Sequence, residues 1–132
     1  MKAIVFNGPW NMTLEDLPKP IPESDQVLLK VEAVGICGSD VHGFTGESGR
    51  RLPGMVMGHE VCGRIIERGD HVDSLNIGDQ VTVFNIMSCG TCDFCTQGRE
   101  QLCAVKKIIG VVNTGKWGAM AEYLTYPADG LF

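Results

Sequence analysis

The run "GHEVCGRIIERGDHV", residues 58–72, carries a period of its own: G-H-E-x2-G-x5-G-x2-V. Its middle, "GRIIERG", reads as a β-strand closed by glycine. His59 and Glu60 stand together at its start, an imidazole beside a carboxylate. Cys62, between Val61 and Gly63, reads as a small core residue. His71 follows "RGD" in a polar turn and reads as surface.

Upstream, "GICGSDVHGF" holds Cys37 and His42. A thiolate, an imidazole and a carboxylate are mixed ligands of the kind that suit a catalytic zinc with an open fourth position. A short helix is expected to begin near Gly38, capped by Ser39 or Asp40. Short β segments flank both runs. "KAIVF" and "MTLEDL" precede the Pro-rich turn "PKPIPES", and "QVLLKVEAVGI" should place Val27, Leu29, Val31 and Ala33 on one face. "DQVTVFNI" and "GAMAEYLTY" follow. Seventeen Gly and six Pro punctuate these segments, so the pattern favours a mainly β barrel or sandwich with short helices.

A third run, "SCGTCDFCTQGREQLC", gathers Cys89, Cys92, Cys95 and Cys103 as C-x2-C-x2-C-x7-C. Four thiolates so close repel one another, and a tetrahedral zinc offsets that cost. A closed shell of four sulfurs leaves no open position, so this site is structural. An iron–sulfur cluster is the rival, but its fourth cysteine ordinarily comes after three residues and precedes Pro; here the gap is seven and Ala104 follows. Free or disulfide-bonded thiols are the third alternative.

The 132 residues suffice for one domain with a modest core. With 11 basic and 16 acidic residues the net charge is -5, and no long basic run points to nucleic acid. The N-terminus lacks the apolar core of a signal peptide, and no stretch approaches the ~20 apolar residues that span a bilayer. A soluble, cytoplasmic protein is expected, with no membrane partner. In that reducing setting six Cys point to metal or catalysis.

The run at 58–72 matches the zinc signature of the medium-chain alcohol dehydrogenases, including the polyol and threonine dehydrogenases. "GICGSDVH" resembles their first catalytic-zinc segment, and the four-thiol loop resembles their structural-zinc lobe. The resemblance extends from "KAIVF" to "AEYLTYPADGLF". It implies a GroES-like β-barrel catalytic domain over residues 1–132, with a structural-zinc lobe at about 87–105. It implies Cys37 and His59 as catalytic-zinc ligands, with Glu60 the next candidate; other relatives use a Cys or acidic residue further along the chain. Asp40 would hydrogen-bond the ligand histidine, Ser39 would contact the substrate oxygen, and His42 would carry the proton to solvent. Phe44, Met55, Met57 and Trp117 are apolar candidates for pocket walls, although core packing explains each as well.

The implied activity is oxidation of a secondary alcohol or polyol by hydride transfer to NAD or NADP, in an enzyme that is a homo-oligomer when full length. No G-x-G-x-x-G run exists here, and "GVVNTGKWGAMAEY" has the wrong spacing. The dinucleotide-binding domain is therefore expected to lie outside this chain, which alone should not reduce NAD, and no cofactor-binding residue is identified. An L-threonine dehydrogenase is the nearest alternative. From other classes come a non-catalytic zinc-binding or interaction module, since the barrel resembles the co-chaperonin fold, and a relative that keeps only the structural zinc.

Overall fold

The computed structural model describes residues 1–111 and 117–132. Residues 112–116, part of the Gly-rich run "GVVNTGKWGAMAEY", lie outside the described residues.

Nine strands and one α-helix organise the described chain. They are β1 (Lys2–Gly8), β2 (Asn11–Asp16), β3 (Gln26–Gly35), α1 (Gly38–Thr45), β4 (Met55–Val56), β5 (Glu60–Arg68), β6 (Gln80–Thr82), β7 (Ile86–Met87), β8 (Lys107–Ile108) and β9 (Tyr123–Pro127). One sheet runs β2-β1-β4, a second β6-β5-β3-β9, and β7-β8 form a small hairpin-like pair. The segment before β9 joins the two larger sheets. Ile4 donates to the Met120 carbonyl at 2.8 Å, Glu122 donates to that of Lys2 at 3.0 Å, and Val31 donates to that of Glu122 at 2.9 Å. A bridge between Val83 and Leu131 ties β6's continuation to the chain's last residues. Connections of this kind satisfy edge groups that would otherwise stay unpaired.

Most strands fall where the sequence pattern puts them, but the face of β3 does not. Val27, Leu28 and Leu29 are all buried, Val31 is half-buried, and Ala33 is exposed. Two irregularities against β5 explain this, between Leu28 and Leu29 and between Val31 and Ala33. The second skips Glu32, which reverses the strand's parity, so Val34 rather than Ala33 packs on the core. The two-residue β4 carries too little pattern to be read from sequence. The late strand begins at Tyr123, after "GAMAE" has served as the linking segment.

The main core joins Val27 and Leu29 of β3, Val61 and Ile65 of β5, Val81 of β6, and Leu124 and Tyr126 of β9. The repeated glycines of residues 58–72 now have physical roles. A Cβ at Gly63 would stand 2.5 Å from the Lys30 carbonyl oxygen, and one at Gly69 would collide with the Glu23 and Ser24 carbonyls. Both glycines let neighbouring backbone approach. Val72, the last member of the motif, is a core residue. Because the obstacle is backbone on both sides, Gly63→Ala should lower stability by about 1–3 kcal/mol, read by urea unfolding.

Tyr126 is buried, and its hydroxyl donates to the Phe84 carbonyl at 2.6 Å. Burial, helped by the charge of Asp129, pushes its phenol up from 10.0 to about 12. The folded state then holds this proton more tightly than the unfolded chain. Its contribution is complete below pH 10 and is lost as pH rises toward about 12. Tyr126→Phe should cost about 1–2 kcal/mol at neutral pH, since it strands a carbonyl. It should also flatten the alkaline decline between pH 10 and about 12, measured by denaturation across that range.

Candidate metal centre

The pairing of β3 with β5 sets Gly35 opposite Glu60. The chain leaves β3 at Gly35 and enters α1 through Cys37, which caps the helix in extended conformation (φ -79, ψ 155). It enters β5 through His59, after Gly58 turns the backbone at φ 92. The Cys37 sulfur, an imidazole nitrogen of His59 and a carboxylate oxygen of Glu60 consequently lie within 4.8 Å of one another. Glycine at 35 makes this arrangement fit, because a Cβ there would stand 2.6 Å from Glu60 Oε2. His59 is buried, Cys37 half-buried and Glu60 exposed, so the cluster opens on one side.

The cap of α1 is Cys37, where the sequence reading put Ser39 or Asp40. Asp40 acts one step further in: its Oδ2 accepts the Cys37 N–H at 3.1 Å. Its other oxygen, Oδ1, faces His59 Nδ1 at 3.4 Å and Arg51 Nη2 at 3.6 Å. All three side chains are buried. Asp40 Oδ1, Arg51 Nε and His59 Nδ1 each lack a hydrogen bond of good geometry. One carboxylate thus touches the backbone of Cys37 and the ring of His59. The buried Arg51 had no spacing signal in "SGRRLPG"; only its burial reveals it.

Ser39 Oγ lies 3.4 Å from His59 Nε2. His42 is exposed, its Nδ1 2.7 Å from Glu47 Oε2. Ser39, His42, Arg51 and His59 line one cavity of about 710 Å³, whose apolar wall is Ile86, Ile108 and Val111. Phe44, Met55, Met57 and Trp117, which sequence reads as pocket wall or core packing alike, are not among its lining residues. Met55 and Met57 are buried, and Trp117 is exposed. Phe44 packs edge-on to Trp10 with centroids 5.4 Å apart. Phe44 and Met57 border a separate apolar hollow of about 260 Å³. The two-residue strands that supply Ile86 and Ile108 are too short to show a face in sequence.

Cys62 also departs from expectation. On β5 it shares a face with Glu60 and Arg64, while Val61, Gly63 and Ile65 point inward. It is half-buried and borders a small hollow with Glu60 and Thr82, outside the core. His71 is exposed, as its polar turn implies.

The second cluster lies apart from the first in sequence. Cys89, Cys92, Cys95 and Cys103 bring their sulfurs within 4.8 Å of one another. Two short 3-10 turns, Cys95–Gln97 and Glu100–Leu102, shape the loop around them. Cys95 and Cys103 are buried, whereas Phe94, Leu102 and Val105 are exposed, so the thiols occupy the place of a core. Four sulfurs at this separation form a donor set that zinc fits. The backbone N–H groups of Thr91 and Cys92, then the Thr91 hydroxyl and the Cys103 thiol, lower Cys89 from 9.0 to about 6. The backbone N–H of Cys95 pulls Cys92 down. Its bonding to the Cys95 thiol, its desolvation and Cys89 outweigh that and push it up to about 11.

The family description "Alcohol dehydrogenase GroES-like domain" matches residues 23–132. The chain belongs to the alcohol dehydrogenase GroES-like domain family. Its strands accordingly form the family's GroES-like barrel. Zinc-type alcohol dehydrogenase B of Aspergillus flavus is 39% identical over 132 residues, covering 98% of this chain and 30% of that protein. Sorbitol dehydrogenase of Bacillus subtilis is 37% identical, covering 100% of this chain and 38% of that protein. An alcohol dehydrogenase from Escherichia coli CFT073, solved with NADH, superposes with a TM-score of 0.90 at 33% identity. It covers 100% of this chain and 37% of its own. The chain therefore spans well under half the length of these GroES-like domain relatives. Among its described residues no helix is long and apolar enough to cross a membrane.

Cys89, exposed and with its thiol lowered by the N–H groups of Thr91 and Cys92, should be alkylated ahead of the buried Cys95 and Cys103 as zinc is withdrawn. Peptide mass spectrometry after iodoacetamide at stepped pH reads this, and zinc should suppress it.

Proposed function

We propose that residues 1–132 are the catalytic domain of a zinc-dependent dehydrogenase that oxidises a secondary alcohol, a polyol foremost, with NAD or NADP as acceptor. The convergence of Cys37, His59 and Glu60 within 4.8 Å carries this reading. A sulfur, a nitrogen and an oxygen donor on an open-sided cluster suit a catalytic zinc, and four sulfurs suit a structural one. The sorbitol dehydrogenase likeness supports a polyol, and the NADH-bound relative supports a nicotinamide acceptor.

Cys37, His59 and Glu60 would hold the catalytic ion, and Cys89, Cys92, Cys95 and Cys103 the structural one. When bound, the catalytic zinc supplies the Lewis acidity that brings a hydroxyl's pKa toward neutrality. The protein's own residues do the rest. Asp40, 3.4 Å from His59 Nδ1, would accept that nitrogen's N–H with the ion bound and leave Nε2 as the ligating nitrogen. Ser39 Oγ, beside that same Nε2, accepts the proton of the substrate hydroxyl as its own hydroxyl proton moves on toward His42. His42 lines the same cavity and passes the proton to solvent, with its ring steadied by Glu47. Ile86, Ile108 and Val111 keep the reacting carbon in an apolar wall. Hydride transfer itself is nicotinamide chemistry, and the dinucleotide site belongs to another part of the full-length enzyme. That enzyme is expected in the cytoplasm as a homo-oligomer.

Metal content and turnover test this together. The chain should hold two zinc ions, and Cys37→Ser or His59→Ala should lose one and spare the other, by elemental analysis. In the full-length protein Ser39→Ala should lower kcat by about 10²-fold or more for sorbitol with NAD. A single zinc indifferent to Cys37 and His59 would instead support the interaction-module reading. Faster turnover of L-threonine than of sorbitol would move the substrate to the threonine type.

A further inference from the structure

Arg51 has no part in the reading above, yet it is among the few buried polar side chains. Its guanidinium is wedged between two groups. On one side, Nη2 lies 3.6 Å from Asp40 Oδ1. On the other it crosses α1 at Gly43. A Cβ there would stand 2.8 Å from Arg51 Cγ and 3.2 Å from Nε. Glycine inside a helix costs about 1 kcal/mol against alanine, and here it makes the space through which Arg51 reaches Asp40. Arg51 also borders the cavity. Its Nε lies on the Gly43 side, and its Nη2 faces Asp40.

We propose that Arg51 is a positioning residue of the candidate metal centre: it holds the Asp40 carboxylate where that carboxylate fixes both Cys37 and His59. Asp40 is 3% exposed and cannot rely on water for its charge. The Cys37 N–H satisfies Oδ2. Oδ1 is left to His59 and Arg51. A neutral imidazole contributes one donor and no full charge, so Arg51 is the cation that balances the carboxylate. Removing it leaves a buried charge that moves toward solvent or draws water in, and either response loosens the His59 ring. Partners behind ligating histidines commonly change metal affinity by about 10–100-fold. Arg51 stands one residue further back, so an effect near the lower end is expected.

This inference rests on Cys37, His59 and Glu60 binding a metal, and the test separates the two claims. Zinc-loaded wild-type chain, Arg51→Met, Arg51→Lys and Gly43→Ala are titrated with a competing chelator, and the two zinc ions are followed as separate release steps. The four-cysteine ion is the internal control and should not change. Arg51→Met should weaken the other ion by about 10-fold, with Arg51→Lys between it and wild type. Gly43→Ala, which keeps every charged group but intrudes on Arg51, should weaken it in the same sense. Cobalt(II) at the weaker site should show a shifted visible absorption in Arg51→Met and a partly restored one in Arg51→Lys. If Arg51→Met does not fold, Gly43→Ala and Arg51→Lys decide the matter alone. Unchanged affinity and spectrum at the weaker site in the folded variants overturn the proposal while leaving the metal centre intact. Wild type that binds only the four-cysteine ion overturns both.

Discussion

The antiparallel register of β3 and β5 is the constraint on which the candidate centre depends. It sets Gly35 beside Glu60, and every later proximity follows from that pair. Cys37 is two residues beyond Gly35, and His59 is one residue before Glu60. A register slip of one residue would turn Glu60 to the opposite face and carry His59 away from Cys37. Two glycines leave room for this register. Gly63 admits the Lys30 carbonyl, and Gly35 admits the Glu60 carboxylate. The motif first seen as a spacing is therefore a description of two strands and a turn packed too closely for side chains.

Asp40 converts this proximity into an oriented site. A single buried carboxylate accepts the N–H that caps α1, faces the imidazole and meets a guanidinium. Helix start, ligand orientation and charge balance are thus coupled through one residue. The four-cysteine loop is organised differently. Its apolar side chains are largely exposed while two of its thiols are buried, so its order depends on what joins the sulfurs. The two clusters differ physically. One is built on paired strands, and the other would substitute an ion for a core.

Much of this was legible in the residues. The spacing around His59 and the segment at Cys37 indicated a shared site, and the four-cysteine spacing indicated a compact thiol cluster. Strand positions followed from short alternating segments. What was not legible has local causes. The skipped Glu32 exchanged Ala33 for Val34 on the inner face, because a bulge leaves no mark in an alternation of apolar residues. The cavity wall came from β7 and β8, each two residues long. Cys62 turned outward because it shares parity with Glu60 on β5. Arg51 was hidden because its partner lies eleven positions earlier and is met only after α1 and the following loop fold back.

The most direct test of the account is anomalous diffraction at the zinc edge from crystals of the zinc-loaded chain. The account predicts two peaks per chain, one bonded by the Cys37 sulfur, a His59 nitrogen and a Glu60 oxygen, the other enclosed by the four cysteines. A single peak among the four cysteines, with Cys37 and His59 turned away from each other, would contradict it.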